Sequence, residues 1–112
     1  HNPNTACTAA CHNGTGSEPE FTAAGTLSLA AGASGPVVGA TVTITGSDSV
    51  VRTLVTATNG NFYTTEAIAW PATISVSKCP DTQTMVSTAA SGDCTTGCHV
   101  AGGTADGRVH LP

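Results

Sequence analysis

Two copies of one cysteine pattern constrain this chain of 112 residues more than any other feature. Each copy has two cysteines separated by three residues and a histidine directly after the second: Cys7, Cys11 and His12 in one, Cys94, Cys98 and His99 in the other. The spacer is one residue longer than in the common Cys-x-x-Cys-His pattern of covalent haem attachment. In such a pattern the thiols add to the haem vinyl groups, and the adjacent histidine is placed to coordinate the iron. The motifs therefore predict two haem c groups, with His12 and His99 as proximal iron ligands.

Zinc binding and disulfide bonds are the alternatives for these cysteines. A structural zinc site needs four ligands, whereas each motif offers three. Small secreted domains use disulfides, and a Cys94–Cys98 bond would close a short loop. Neither alternative explains why a histidine follows both pairs, so covalent haem is favoured. Cys79 belongs to neither motif, and a buried side chain, a free thiol and an intermolecular bond are all open for it.

The two remaining histidines are placed symmetrically, since His1 lies eleven residues before His12 and His110 lies eleven residues after His99. Two haem irons need two further ligands, so His1 and His110 are predicted as the distal ligands. Surface histidines at frayed termini are the alternative. Each spare histidine could serve its nearer haem, the haem at the opposite end of the chain, or a haem of a neighbouring subunit. Met85 is the other candidate, but its surroundings indicate a strand and favour core packing.

The composition excludes several classes of partner. Only 3 residues are Lys or Arg and the net charge is −4, too little positive charge to neutralise a nucleic-acid backbone. No apolar run approaches the ~20 residues of a transmembrane helix. Leu, Ile, Val and Phe together supply 19 residues, which is thin for a self-sufficient core. The chain begins at His1 without Met, which favours a mature N-terminus after export to the cell surface or the extracellular space.

Between the motifs, short stretches of β-type residues alternate with turn residues. Six strands are predicted, over residues 26–30, 37–45, 50–58, 62–66, 72–77 and 82–88. In the second, Ala40, Val42 and Ile44 should face one side. Asn59 and Gly60 form a strong hairpin signal. The spacing of about ten residues without a helical period predicts an all-β fold, a single small antiparallel sandwich of six to seven strands.

This pattern divides the chain into three parts. Residues 1–23 and 90–112 are haem-binding terminal segments with little regular structure, and residues 24–89 form the β-sandwich spacer. An even number of antiparallel strands returns the chain to the end of the sandwich where it started. Six strands would therefore place the two terminal segments close together, and seven would place them at opposite ends.

The middle section also resembles a known family. The stretches GTL (25–27), GPVVGATVTI (35–44) and TNGNF (58–62) are similar to carboxypeptidase regulatory-like, or transthyretin-like, extracellular β-sandwiches. The resemblance covers about half of the chain and implies a scaffold. The stretches GDCTTGCH (92–99) and GRVHLP (107–112) resemble haem-binding segments of extracellular multihaem cytochromes of metal-reducing bacteria. Together they imply a dihaem c-type cytochrome built on a β-sandwich.

Iron with two histidine ligands has no open position, so the expected function is electron transfer rather than catalysis. The expected partners are further copies of this chain, joined through the haem-bearing ends into an oligomer or a conductive filament, and redox partners such as other cytochromes or extracellular acceptors. A haem enzyme or gas sensor with one open iron site is an alternative. A structural or adhesive β-domain with zinc or disulfides at its ends is another.

Overall fold

A computed structural model describes residues 12–15, 19–29, 35–85, 88–92, 94 and 110. The described part is all-β, with no helix, as the sequence predicts. It contains six strands: β1 (Ala23–Thr26), β2 (Thr41–Thr45), β3 (Val51–Val55), β4 (Asn61–Thr64), β5 (Thr73–Lys78) and β6 (Asp81–Thr84). None of the described residues belongs to a helix long and apolar enough to cross a bilayer.

The strands form two antiparallel sheets that pack into a small sandwich. One sheet has four strands in the order β3-β2-β5-β6, and the other pairs β1 with β4. In the larger sheet, Val42 lies opposite Leu54 on one side and Val76 on the other. In the smaller sheet, Gly25 lies opposite Phe62. The larger sheet buries one face of β2 and β5, whereas β1 in the smaller sheet is buried at every residue. The smaller sheet depends on this packing, because an isolated two-stranded pair is only marginally stable in water.

The core follows the predicted alternation. Ala40, Val42 and Ile44 are fully buried, and the threonines between them on β2 are half-buried. On β5, Ile74 and Val76 are likewise buried, while the serines that alternate with them are half-buried. Apart from Phe62, the core cluster consists of small to medium-sized residues, which agrees with the low content of large apolar residues.

The Asn59–Gly60 turn does not close a hairpin. It joins β3, which pairs with β2, to β4, which pairs with β1, so the chain crosses here from one sheet to the other. Gly60 has a φ of 78°, and a Cβ at this position would lie 2.6 Å from the carbonyl oxygen of Leu27. The amide of Leu27 donates to the carbonyl of Gly60 at 2.9 Å. The predicted turn is confirmed, but the predicted hairpin is wrong, because β4 pairs with β1 in the other sheet, where Leu27 contacts Gly60.

The first strand also begins earlier than predicted, at Ala23 instead of residue 26. Beyond Thr26 the chain leaves β4, and Ser28 forms an isolated antiparallel bridge with Pro36. The amide of Leu29 donates to the carbonyl of Gly35 at 3.0 Å. Residues 28–29 therefore pair locally with residues 35–36 instead of extending the strand.

After β6 the chain returns toward β1. Ala89 pairs with Ala72, just before β5, through reciprocal backbone hydrogen bonds of 2.7 and 2.9 Å. Three residues later, the carbonyl of Gly92 accepts a hydrogen bond from the amide of Ala24 at 2.8 Å. This crossing carries the C-terminal part of the chain from the larger sheet to the smaller one.

Candidate functional site

Three of the eight predicted haem-binding and iron-ligating residues lie in the described part of the chain: His12, Cys94 and His110. All three are tied to one stretch, residues 21–28, which comprises β1 and its flanks and is called the β1 platform below. The other five lie outside the described residues: His1, Cys7, Cys11, Cys98 and His99. Their roles stay predictions from the sequence.

His12 is fixed by hydrogen bonds from both its backbone and its ring. Its carbonyl accepts from the amide of Phe21 at 3.1 Å. Its Nδ1 lies 2.7 Å from the carbonyl oxygen of Pro19. A carbonyl oxygen can only accept, so Nδ1 carries a proton and donates it. In the neutral ring the lone pair is then on Nε2, which is the arrangement of metal-binding histidines whose other nitrogen donates to a backbone carbonyl.

Phe21 and Tyr63 form an aromatic column with His12. The rings of His12 and Phe21 are stacked with centroids 3.7 Å apart and an interplanar angle of 8°. Phe21 and Tyr63 are stacked with centroids 4.5 Å apart and an angle of 17°. Two rings this close and this parallel cannot share one face of Phe21, so His12 and Tyr63 occupy opposite faces. His12 is 3% exposed and Tyr63 is 57% exposed, so the column runs from a buried histidine to the surface.

Cys94 is hydrogen-bonded to the next part of the β1 platform. Its amide donates to the carbonyl of Ala24 at 3.1 Å, and the amide of Ala24 donates to the carbonyl of Gly92. The Cys94 side chain is half-buried and packs against the hydrophobic core. A Cβ added at Gly25 would lie 2.9 Å from the Cβ of Cys94, so glycine opposite Cys94 makes room for it.

The close approach of Gly92 to the β1 platform depends on its missing side chain. A Cβ at Gly92 would lie 1.7 Å from the carbonyl oxygen of Thr22, far inside any real contact distance. The segment that leads into the second motif therefore touches the backbone of the platform directly. The hydrogen bonds made by the amide and by the carbonyl of Ala24 hold this segment in place.

His110 returns to the far end of the β1 platform, where it forms a parallel bridge with Ser28. His110 is half-buried and Ser28 is fully buried. The Oγ of Ser28 has no hydrogen-bond partner, which makes it the one such buried side-chain atom among the described residues. Cys94 and His110 thus contact platform positions four residues apart, Ala24 and Ser28, or about 13 Å at the rise of a strand.

The even strand count predicted that the two motif segments would lie near each other. His12 is bonded to Phe21 and Cys94 to Ala24, positions three residues apart on the β1 platform, or about 10 Å along an extended chain. His12 and Cys94 are therefore held on neighbouring parts of the platform, and the closeness of the two whole motifs stays a prediction.

The described part of the site carries little charge. Glu20 and Glu66 are exposed, and Arg52 Nε lies 3.9 Å from Glu66 Oε2. Such a surface pair contributes at most about 1 kcal/mol and is screened by salt. The positions around His12 and Cys94 are instead set by backbone hydrogen bonds, aromatic stacking and small residues.

The donor chemistry of the described residues fits a covalently bound haem: a histidine with Nδ1 protonated, and a half-buried cysteine whose backbone is hydrogen-bonded to the same β1 platform. Among the described residues, no group of three or more His, Cys, Asp or Glu side chains could hold a metal ion. A haem iron takes four of its ligands from the porphyrin, so it does not need such a group.

Some residues at the site were not indicated by the sequence. Phe21, Tyr63 and the carbonyl of Pro19 fix His12, yet no local pattern links Tyr63 to it. Gly92 stands two residues before Cys94, and a glycine next to a motif was the one feature of the sequence that pointed to a close backbone contact there.

Met85 is half-buried and packs against the core, as predicted. Cys79 is an exposed thiol outside any disulfide at the end of β5, so the buried alternative is wrong.

Comparison of the chain with protein-family models, with curated proteins and with solved structures finds no match.

Proposed function

We propose that this chain is a dihaem c-type cytochrome that transfers electrons outside the cytoplasm, with one haem c on each motif and no enzymatic activity of its own. The observation that carries the proposal is the repeated Cys-x-x-x-Cys-His pattern, which uses four of the five cysteines and two of the four histidines. The hydrogen bond from His12 Nδ1 to Pro19 supports it, because it leaves the lone pair on Nε2 in the neutral ring.

Each cysteine of a motif would bind haem by adding its thiol across a vinyl group, which forms a carbon–sulfur bond and moves the thiol hydrogen to the neighbouring vinyl carbon. When bound, the haem irons would supply one-electron chemistry between their ferric and ferrous states. His12 and His99 would hold the irons from one side, with His1 and His110 as the proposed ligands on the other. The Pro19 carbonyl and the Phe21 ring would keep the His12 imidazole in a single orientation.

One observation on the β1 platform supports the transfer role. His12 and Cys94 are hydrogen-bonded to platform positions three residues apart, which favours two haems close enough to exchange electrons. The sandwich acts in this proposal as a rigid spacer of the transthyretin-like kind. Further copies of the chain, joined at the haem-bearing ends, and external redox proteins or acceptors are the proposed partners.

The decisive experiment is intact-mass spectrometry of protein made in a host that attaches haem covalently. Wild-type protein should carry two haems. The double variants Cys7→Ala/Cys11→Ala and Cys94→Ala/Cys98→Ala should each carry one, while Cys79→Ala, the matched control, should carry two. Protein without added mass would refute the proposal and favour a structural β-domain.

A second measurement separates electron transfer from a haem enzyme or gas sensor. The reduced protein should show the sharp absorption bands of six-coordinate c-type haem and should bind carbon monoxide slowly or not at all. Rapid carbon monoxide binding would mean that one iron has an open position, against ligation by both His1 and His110.

A further inference from the structure

An open groove of about 420 Å³ lies next to the β1 platform. Phe21, Ile68, Trp70 and Gly92 line it together with the polar residues Glu20, Thr22 and Ser91. Its volume falls in the range of about 300–1,000 Å³ that is usual for small-molecule and cofactor sites.

The apolar wall of the groove is incompletely covered. Ile68 and Trp70 are half-buried, and both pack on one side against the hydrophobic core. Leaving part of an indole and an isoleucine in water forgoes roughly 25 cal/mol for each Å² that a partner could bury. An indole and an isoleucine side chain in one groove suit a planar aromatic group lying against them.

The position of Cys94 indicates which planar group would bind in the groove. Gly92 lines the groove, Cys94 follows two residues later, and Cys94 packs against the same core as Ile68 and Trp70. A group bonded to the Cys94 sulfur is tethered two residues from Gly92, which lines the groove, so its effective concentration at the groove is high. The first motif is less well placed, because the faces of Phe21 are covered by His12 and Tyr63 and only its edge is left for the groove.

We propose that this groove seats the haem bound through Cys94, called the second haem below, with Trp70 and Ile68 covering part of one face of the macrocycle. The inference rests on the proposed function, since it requires a covalent haem on the second motif. It adds that Trp70 and Ile68 are cofactor-contacting residues that limit the access of water to this haem.

Nuclear magnetic resonance of the intact haem-bearing protein tests the position directly. Trp70 is the single tryptophan, so its indole N–H gives one signal. A porphyrin against the wall should shift the Trp70 indole and Ile68 methyl signals by its ring current and should move them again between the ferric and ferrous states. Both effects should be lost in Cys94→Ala/Cys98→Ala and kept in Cys7→Ala/Cys11→Ala.

The outcomes separate this inference from the proposed function. If mass spectrometry finds haem on Cys94 but the Trp70 and Ile68 signals do not change with redox state, the proposed position of the haem in the groove is wrong and the cytochrome proposal stands. If no covalent haem is found, both proposals are refuted. Because variants of the second motif can fail to fold, the redox-dependent shift in wild-type protein is decisive by itself.

A pair of substitutions at Trp70 gives an independent readout. Trp70→Ala should admit water to the haem face, favour the more highly charged ferric state and lower the midpoint potential of the second haem alone. Trp70→Phe keeps an aromatic cover and should restore most of the wild-type potential. Equal potentials in wild-type protein and a folded Trp70→Ala variant would overturn the assignment.

Discussion

Replacing Gly92 with alanine should detach the second motif from the β1 platform. The new Cβ would lie 1.7 Å from the carbonyl oxygen of Thr22. Ordinary carbon–oxygen contacts are near 3.3 Å, so the segment must move by about 1.5 Å or more. Such a displacement breaks the hydrogen bond of 2.8 Å from Ala24 to Gly92, and the bond of 3.1 Å from Cys94 to Ala24 follows.

The expected cost comes from those two bonds and from the packing they hold in place. Two backbone hydrogen bonds contribute about 2 kcal/mol, and the loosened side chain of Cys94 adds to this. We expect the free energy of unfolding to fall by about 2–4 kcal/mol, a large share of the ~5–15 kcal/mol typical of a small domain.

Urea unfolding followed by circular dichroism measures this change, with linear extrapolation to water. Ser91→Ala is the matched control, because this neighbouring side chain is exposed and its loss should change stability by less than ~0.5 kcal/mol. A Gly92→Ala protein as stable as the control would refute the claim that direct backbone contact at Gly92 anchors the second motif.

Three further substitutions test other parts of the structure by the same measurement. Phe21→Leu removes both stacking contacts of the aromatic column and should lower the free energy of unfolding by about 1–3 kcal/mol. Tyr63→Leu removes only the outer contact and should lower it by less. Equal losses of stability in the two variants would contradict the stacking order of the column. Thr56→Val should lower stability by about 2–3 kcal/mol, because the buried hydroxyl of Thr56 donates to one backbone carbonyl at 2.6 Å and accepts from one amide at 2.9 Å; a neutral effect would mean that these bonds do not form. Ser28→Ala should raise stability by about 1 kcal/mol, since it removes a buried hydroxyl without a partner, and a loss would show that Ser28 Oγ is bonded in the folded protein.

The strands of the sandwich were largely predictable from local sequence. Val42 and Ile44 alternate with threonines on β2, and a period of two residues fixes which side chains share a face. Turn residues between the apolar stretches gave the number of strands. The pairing partners were not predictable in this way, because any two amphipathic strands can pair equally well by pattern alone. The Asn59–Gly60 turn shows this, since its local geometry was expected but its strands belong to different sheets.

The candidate site divides along the same line. The spacing of cysteines and histidine in each motif is fixed by the order of residues in the chain. The sequence by itself therefore determined the predicted haem attachment and identified Cys94 and His12 as residues that take part in it. The tertiary structure decided that His12 stacks on Phe21, that Phe21 stacks on Tyr63 42 residues further along the chain, and that Gly92 touches Thr22. These contacts join distant parts of the chain and depend on how the two sheets pack, and no short-range pattern encodes that packing. The sequence thus determined which groups are predicted to bind a cofactor, whereas only the fold determined that His12 and Cys94 are hydrogen-bonded to neighbouring parts of the β1 platform.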